Sequence, residues 1–575
     1  MKKFNFYYFV TLLLAALVMS SCSGLKKMKK NAHTVKYEVT PGVIEMHGDK
    51  VEIAIDARFP EKYFDKKATV IATPVLKSEG GEIPFKPITI QGEKVEANNK
   101  VVNFQSGGKF SYRATIPYSS DMKMSDLVLK LEATKKGKKL VFDPLKVADG
   151  VIATPLLLDN KGVKTILAKD NFKRIIPESY SADIHYLINS KLVQKSEMNS
   201  EDIEKLIKAV VAANEKENYK LRGLDISAFA SPDGELDLNS DLAGNRAQTA
   251  KKFISGEMKK VDVEQGNDDN FFNAKSIAED WEGFKALVGE SAIPDKDIIL
   301  RVLSMYSDPA VREKEIKNIA AAYKVLADDV LPKLRRSVMT VNVDVIGKSD
   351  EELLTLAISE PSALNLEELL YSGTLTKNVK DQNAIYKSVT KQFPSCFRGF
   401  NDYGLTLVEM NKFDEAESAF KQANKLYPKS KLVLNNLGAV ALINADYKKA
   451  EGYFMSASGV GKQVDNNMGI INIKSGDYKK ALKGFGSSCD FNNALAQVLT
   501  GDNNGALKTL DCVEDQNAMV SYLRAIVGAR MQDSNMVMSN LEKSFAKDAS
   551  LKSYAKTDME FGKYFEDNNF KSLVK

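Results

Sequence analysis

The chain has 575 residues, enough for several domains, and with 44% apolar and 27% charged residues it is ordinary globular material able to bury a core in each. Its 81 basic and 76 acidic residues leave a net charge of +5, so the balance demands neither nucleic acid nor any strongly charged partner. The only histidines, His33, His47 and His185, are scattered, and no cysteine has one nearby, so the chain reads as non-enzymatic, without a metal site, a catalytic pair or a cofactor.

In chain order, residues 1–22 come first. Met1-Lys2-Lys3 is a basic start, FVTLLLAALVM an apolar run too short to span a bilayer, and Ser20-Ser21-Cys22 ends it with small residues before a cysteine. This resembles a bacterial lipoprotein signal, which implies that Cys22 becomes the first mature residue and carries lipid. Met19 departs from the leucine usual there, and an ordinary cleaved secretion signal with an incidental cysteine is the alternative. No later apolar run reaches membrane-spanning length, so lipid would be the only anchor. Residues 23–34 read as a basic linker, its lysines either touching anionic headgroups or simply solvated. A basic rather than acidic stretch after the cysteine favours the periplasmic side of the outer membrane.

From 35 to 150 short alternating runs such as KVEIAIDARFP, ATVIATPVL and KFSYRATIPY, punctuated by Gly, Pro and Asn, predict an antiparallel β-sandwich. From 155 to 350 the periods mix. A strand is expected at 181–189, then a helix whose start is marked by Asn199-Ser200-Glu201-Asp202, then the strand LRGLDISAFA and the stretch SPDGELDLNSDLAGNRA.

That stretch resembles the OmpA C-terminal-like, peptidoglycan-associated domain, whose signature is a strand, Gly-x-Thr-Asp-x-x-Gly, then Asn-x-x-Leu-Ser-x-x-Arg-Ala. Gly234, Asn239, Leu242, Ala243, Arg246 and Ala247 match it in register, and Arg335-Arg336 resemble the family's closing Arg-Arg strand. The resemblance implies an α/β module that holds the diaminopimelate of peptidoglycan with an aspartate for its ammonium and an arginine for its carboxylate. Arg246 keeps the arginine, but Ser231 stands at the aspartate position. A hydroxyl in place of a carboxylate costs about ten-fold or more in affinity. Asp233 is either a substitute carboxylate or an ordinary Pro-Asp-Gly turn residue, and Asn239 either a ligand contact or a local cap. Residues 256–333 are expected to form a long helical insertion, with Ile316, Ile319, Ala320, Tyr323 and Leu326 on one face. Its Asp-Trp-Glu-Gly, with the later Leu-Arg-Arg, is similar to a divergent branch of OmpA-like proteins in envelope lipoproteins where Ser-Pro-Asp/Glu-Gly replaces the Thr-Asp turn. Trp281 reads as a packing residue ahead of a ligand platform.

The last third has internal register. Gly404, Phe413, Ala416, Phe420 and Ala423 recur after thirty-four residues as Gly438, Tyr447, Ala450, Phe454 and Ala457, and a shortened unit continues through Gly469, Tyr478, Ala481 and Phe485. This resembles a tetratricopeptide array, placed at 375–575 with its last helices as a cap, an all-α solenoid that can offer a concave groove. Cys396, Cys489 and Cys512 read as small apolar core residues, with a Cys489–Cys512 bridge available in an oxidising compartment.

The chain is thus expected to be multidomain: β-sandwich, central α/β OmpA-like module, C-terminal solenoid. The function expected is a lipid-anchored, periplasm-facing outer-membrane adaptor, binding peptidoglycan through Arg246, Ser231, Asp233 and Asn239 and an envelope protein through the repeats. The alternative is a protein-only assembly scaffold whose OmpA-like module has lost peptidoglycan.

Overall fold

The computed structural model describes residues 24–293, 296–318 and 324–575. Cys22 and the leader lie outside the described residues. The chain divides into two compact units: Asp170–Lys377, and the flanking chain up to Lys169 together with Asn378–Lys575.

In the flanking unit the expected sandwich is present as an eleven-stranded sheet folded on itself. The strand Lys50–Phe59 shows why: Val51, Ile53, Ile55 and Ala57 point inward while Glu52, Asp56 and Arg58 face water. Leu127, Leu129 and Ala133 of Ser125–Lys135 do the same from the facing layer. The pairing is mostly antiparallel, but Val43–His47 runs parallel to Leu145–Ile152, and Ile88–Gly92 parallel to Lys100–Val102. The stretch expected as a linker is part of this domain. Residues 24–30 are helical, Leu25 and Met28 are buried in the sandwich core, and Lys29 pairs with Asp143 at 3.0 Å. Leu25 and Met28 lie three residues apart, so one turn brings both onto the same face.

The central unit is a four-stranded sheet in the order Ile175–His185, Arg336–Ile346, Tyr219–Phe229, Phe272–Ile277. Helices Glu201–Glu215 and Leu236–Lys260 cover one face, burying Ile203, Leu206, Val210, Ala250, Ile254 and Met258 against Ile184, Leu224, Ile226, Met339 and Val341. Ser200 caps the first helix as its sequence predicts, accepting from the Ile203 amide. The opposite face carries Ser179, Asp225, Asn273 and Asn342 hydrogen-bonded to one another. Three boundaries differ from expectation: the unit starts at Asp170 rather than 155, because residues 155–169 belong to the flanking unit. The insertion is shorter than 256–333, because its start completes the preceding helix and Phe272–Ile277 joins the sheet parallel to Tyr219–Phe229. What remains is a helical cluster around Phe284, Val288, Ile299, Leu303, Ile316, Leu326 and Leu334. Of the helical face expected there, Ile316 and Leu326 are buried, while Ile319, Ala320 and Tyr323 lie outside the described residues. The unit also runs past 350, since helices Asp350–Ser359 and Leu366–Ser372 belong to it, tied back by Arg174–Asp350 and by Phe172 stacked on Tyr371.

The C-terminal region is tetratricopeptide-like. Paired helices Phe397–Glu409 and Phe413–Leu426, Lys431–Ile443 and Tyr447–Ser456, and Lys462–Ser475 and Tyr478–Phe485 repeat one contact. A Cβ on Gly404, Gly438 or Gly469 would sit 2.7, 2.6 or 2.8 Å from the ring of Phe420, Phe454 or Phe485. Glycine thus lets each first helix close onto an aromatic of the second, and the shared geometry is what the sequence period encodes. Helices Ala518–Met531 and Ser534–Lys547 add a further hairpin. Cys489 and Cys512 are bridged, with Cα atoms 5.4 Å apart, so they are cross-linked rather than simple core residues; Cys396 is free and half-buried.

Two changes test this packing. Gly438→Val drives a branched side chain into Phe454 and is expected to lower stability by about 1–3 kcal/mol, read as a fall in Tm. Cys512→Ser opens a loop of 23 residues and is expected to lower it by about 3 kcal/mol, with no further loss when reductant is added.

Candidate functional site

Strand Tyr219–Phe229 leads into the turn at 230–234, and helix Leu236–Lys260 begins beyond it. The Ser231 hydroxyl donates to the Asp233 carboxylate. Asn239 Nδ2 donates to the Ser231 and Gly234 carbonyls at 3.2 and 3.0 Å, which is the local capping role. Arg335, which the sequence offered only as part of a closing strand, reaches the same spot: its Nε donates to Ser231 Oγ at 3.2 Å and its Nη2 lies 3.5 Å from Asp233. The structure therefore brings Ser231, Asp233, Asn239 and Arg335 together. A cavity of about 10 Å³ beside them, lined by Pro232, Asp233, Trp281 and Glu313, has room for one water at most.

Arg246 is fully buried beneath the turn. Its Nε donates to the Ser190 carbonyl at 2.9 Å, Nη1 to Phe229 at 2.8 Å and Nη2 to Leu187 at 3.3 Å, with the guanidinium over the Tyr186 ring. Burial pulls its pKa down to about 10, opposed by Tyr186 and helped by the positive Arg335. These bonds also explain why the strand expected at 181–189 ends at His185: the carbonyls of the following loop turn inward to the guanidinium instead of a neighbouring strand. Ala243 and Ala247 are buried packing residues.

The Asp-Trp-Glu-Gly run is structural too. Asp280 Oδ1 accepts from the Gly283 amide at 2.8 Å, capping helix Trp281–Glu290, and a Cβ at Gly283 would lie 2.2 Å from Asp280. The other carboxylate oxygen of Asp280 pairs with Arg336 at 3.3 Å. Trp281 packs edge-on against Phe284 and donates to Glu279, the packing role expected of it.

A second site lies in the helical array, and it is occupied by the chain itself. Residues 158–169, between the sandwich and the central unit, run mostly extended along the first helices of the repeats, where pairs of polar residues grip their main chain. Asp402 Oδ1 accepts from the Ala168 amide at 2.8 Å. Asn436 accepts from the Ile166 amide at 2.7 Å and donates to the Ile166 carbonyl at 2.8 Å; Asn467 does the same for Lys164 at 2.7 and 2.9 Å. Asn401 and Asn435 add donations to the Ile166 and Lys164 carbonyls at 3.0 and 2.9 Å. Farther along, Asn492 holds both main-chain groups of Asp159 at 3.0 and 2.8 Å. The asparagines also bond to one another, Asn436 to Asn401 at 2.9 Å and Asn467 to Asn435 at 3.0 Å, so the set forms a continuous ladder. Leu158, Val163 and Ile166 pack on the apolar repeat core, and Ala168 is buried.

An asparagine offers both a donor and an acceptor, so one side chain can satisfy both main-chain groups of an extended residue. Alternate residues of an extended chain present those groups to the same side, which matches one polar pair per repeat. The reading of the sequence missed this ladder, although its signal was there. The pairs Asn401-Asp402, Asn435-Asn436, Asn466-Asn467 and Asn492-Asn493 recur with the repeat, and the first three stand three residues before Gly404, Gly438 and Gly469.

No family model and no curated protein matches the chain. Among solved structures it is similar to a tetratricopeptide repeat protein from Parabacteroides merdae, with 13% identity and a TM-score of 0.27 over 45% of this chain and 98% of that one. It is also similar to PilF of Pseudomonas aeruginosa, with 15% identity and a TM-score of 0.27 over 38% of this chain and 98% of that one. A third is YrrB, a TPR protein with an unusual peptide-binding site, with 16% identity and a TM-score of 0.23 over 30% of this chain and 97% of that one. Likeness this distant carries no argument about function, and the repeat assignment rests on the glycine–phenylalanine contacts above.

Because the buried Arg246 guanidinium serves three main-chain carbonyls, Arg246→Ala is expected to destabilise the central unit by about 3 kcal/mol or more, through lost charge-assisted bonds and unpaired acceptors. Differential scanning calorimetry checks this, and an unchanged Tm would refute the packing role.

Proposed function

We propose that this chain is a non-enzymatic protein-interaction scaffold of the cell envelope, anchored through Cys22 on the periplasmic face of the outer membrane. The observation that carries the scaffold reading is the asparagine ladder, a groove built to hold an extended polypeptide by its main chain. The Cys489–Cys512 bridge supports a compartment outside the reducing cytosol. Among the described residues no helix is long and apolar enough to cross a membrane, so the anchor in this reading is the lipid.

In the same reading the central unit is an OmpA-like module whose arginine has become a packing residue. The support is that Arg246 is buried and its nitrogens are engaged, while Ser231 replaces the carboxylate such a clamp needs. The adaptor reading, with peptidoglycan as a ligand, keeps one specific observation in its favour. Arg335 and Asp233 form an ion pair beside Ser231, each still partly open to solvent, and a zwitterion could be exchanged into such a pair.

Two experiments decide between them. Photo-crosslinking amino acids at Tyr427 and Met455, exposed apolar positions on the repeats, are expected to yield discrete adducts with another envelope protein in cells; their absence at both positions would count against the scaffold. The wild-type chain is expected not to co-sediment with purified sacculi. Co-sedimentation that Asp233→Ala or Arg335→Ala abolishes would transfer the assignment to the peptidoglycan adaptor.

A further inference from the structure

The ladder is longer than its occupant. Asp402, Asn436 and Asn467 each accept the amide of an alternate residue, Ala168, Ile166 and Lys164 in turn. Continued by one step, the pattern sets Gly162 against the next repeat's second asparagine, Asn493. There the segment leaves the register: the Gly162 amide folds back onto the Asp159 carbonyl at 3.3 Å in a turn at 160–161. The consequences are visible in the groove. Asn493 is buried, its Nδ2 is diverted to the Gly486 and Ser488 carbonyls, and its Oδ1 accepts no hydrogen bond from any described residue. Asn466, also buried, reaches the Gly162 carbonyl only at 3.5 Å, and its Oδ1, which by analogy with Asn401 and Asn435 would accept from Asn493, is likewise without a partner. Buried polar atoms left without partners are uncommon and costly, and here both belong to one unfilled rung.

We propose that the groove is a receptor for an extended segment of a partner protein, one that stays straight across all four rungs, and that residues 159–168 are a three-rung occupant competing in cis. This rests on the scaffold reading above and names its partner surface. Recognition of the main chain makes the partner's sequence requirement loose: apolar residues where Val163 and Ile166 pack, a small residue where Ala168 is buried, and no Pro at the alternate residues whose amides the ladder accepts. A tethered occupant is present at an effective concentration in the millimolar range, so a partner in solution binds appreciably only when it fits better. The unfilled rung supplies that difference. A straight segment donates an amide to Asn493 Oδ1 and lets Asn493 turn toward Asn466.

The test uses the full chain with residues 159–168 replaced by a Gly-Ser stretch of equal length, and two fluorescein-labelled peptides. One has the native sequence of residues 159–169; the other carries Val163 to Lys169 preceded by Thr-Val-Thr, without the turn. The opened chain is expected to bind the straight peptide at least ten-fold more tightly than the native one, and the wild-type chain to bind either at least ten-fold more weakly than the opened chain. Asn493→Leu should erase the preference for the straight peptide, and Asn436→Leu should weaken both. Equal binding of the two peptides, or no binding by an opened chain whose circular dichroism and Tm match wild type, overturns the proposal. Where the opened chain fails to fold, amide exchange on the wild type decides: Lys164, Ile166 and Ala168 are expected to exchange through local opening, faster than the core amide of Val440. Exchange of all four only on global unfolding overturns it. Failure here with crosslinks from Met455 intact would leave the scaffold standing and reduce the segment to a strut.

Discussion

A connecting segment cannot pack its main chain against helices unless something satisfies its amides and carbonyls, and the segment at 158–169 meets that constraint in an uncommon way. Outside its turn at 160–161, the Lys164, Ile166 and Ala168 main-chain groups pair not with a strand but with side chains of successive repeats. The ladder works only if the repeats are stacked at a constant spacing, and that spacing is set by Gly404, Gly438 and Gly469 closing onto Phe420, Phe454 and Phe485. The segment and the array thus order each other: the aromatic contacts fix the pitch of the asparagines, and the segment's groups give those buried asparagines their partners. The sandwich joins the same unit beyond the segment's other end, where the Gly48 amide donates to the Tyr478 hydroxyl and Thr154 bonds to Glu560, itself paired with Arg530.

Much of the architecture was legible from residue patterns. Alternation identified the sandwich, the glycine–aromatic period identified the array, and Ser200 marked its helix. The misplacements have physical causes. Leu25 and Met28 read as a linker because four lysines surround them, yet two apolar residues three apart suffice to dock one turn of helix. Phe272–Ile277 was hidden in a helical insertion because a single parallel strand at a sheet edge has no turn partner nearby to announce it. Strand ends near 185 could not be foreseen, because what ends the strand is an arginine 56 to 59 residues away in sequence from the carbonyls it holds.

The candidate sites were less legible, for opposite reasons. The motif around Ser231 was readable, but a motif specifies which residues meet and not what they face. Arg246 lies beneath the turn and faces the carbonyls of Ser190, Phe229 and Leu187, while Arg335, outside the motif's first half, is the residue that reaches Ser231 and Asp233. The asparagine ladder was overlooked because paired asparagines inside amphipathic helices look like solvated positions. Only their phase relative to the glycines reveals that they lie on the inner face, since a residue three before the glycine is one helical turn along the same side.

Both sites solve the same problem, irregular backbone packed against a helix, with buried polar side chains, and the difference in chemistry separates their capacities. Arg246 offers donors only, so it can neutralise the carbonyls of Ser190, Leu187 and Phe229 but cannot accept an amide. It therefore serves one fixed loop and has nothing that a different strand would match better. Each asparagine donates and accepts, so the ladder is complementary to any extended main chain and indifferent to most of its side chains. A surface of that kind has no built-in reason to prefer its own segment beyond the tether, and the turn at 160–161 weakens even that match. Of the two buried polar sites, the one that the motif around Ser231 does not announce is the one whose chemistry permits exchange.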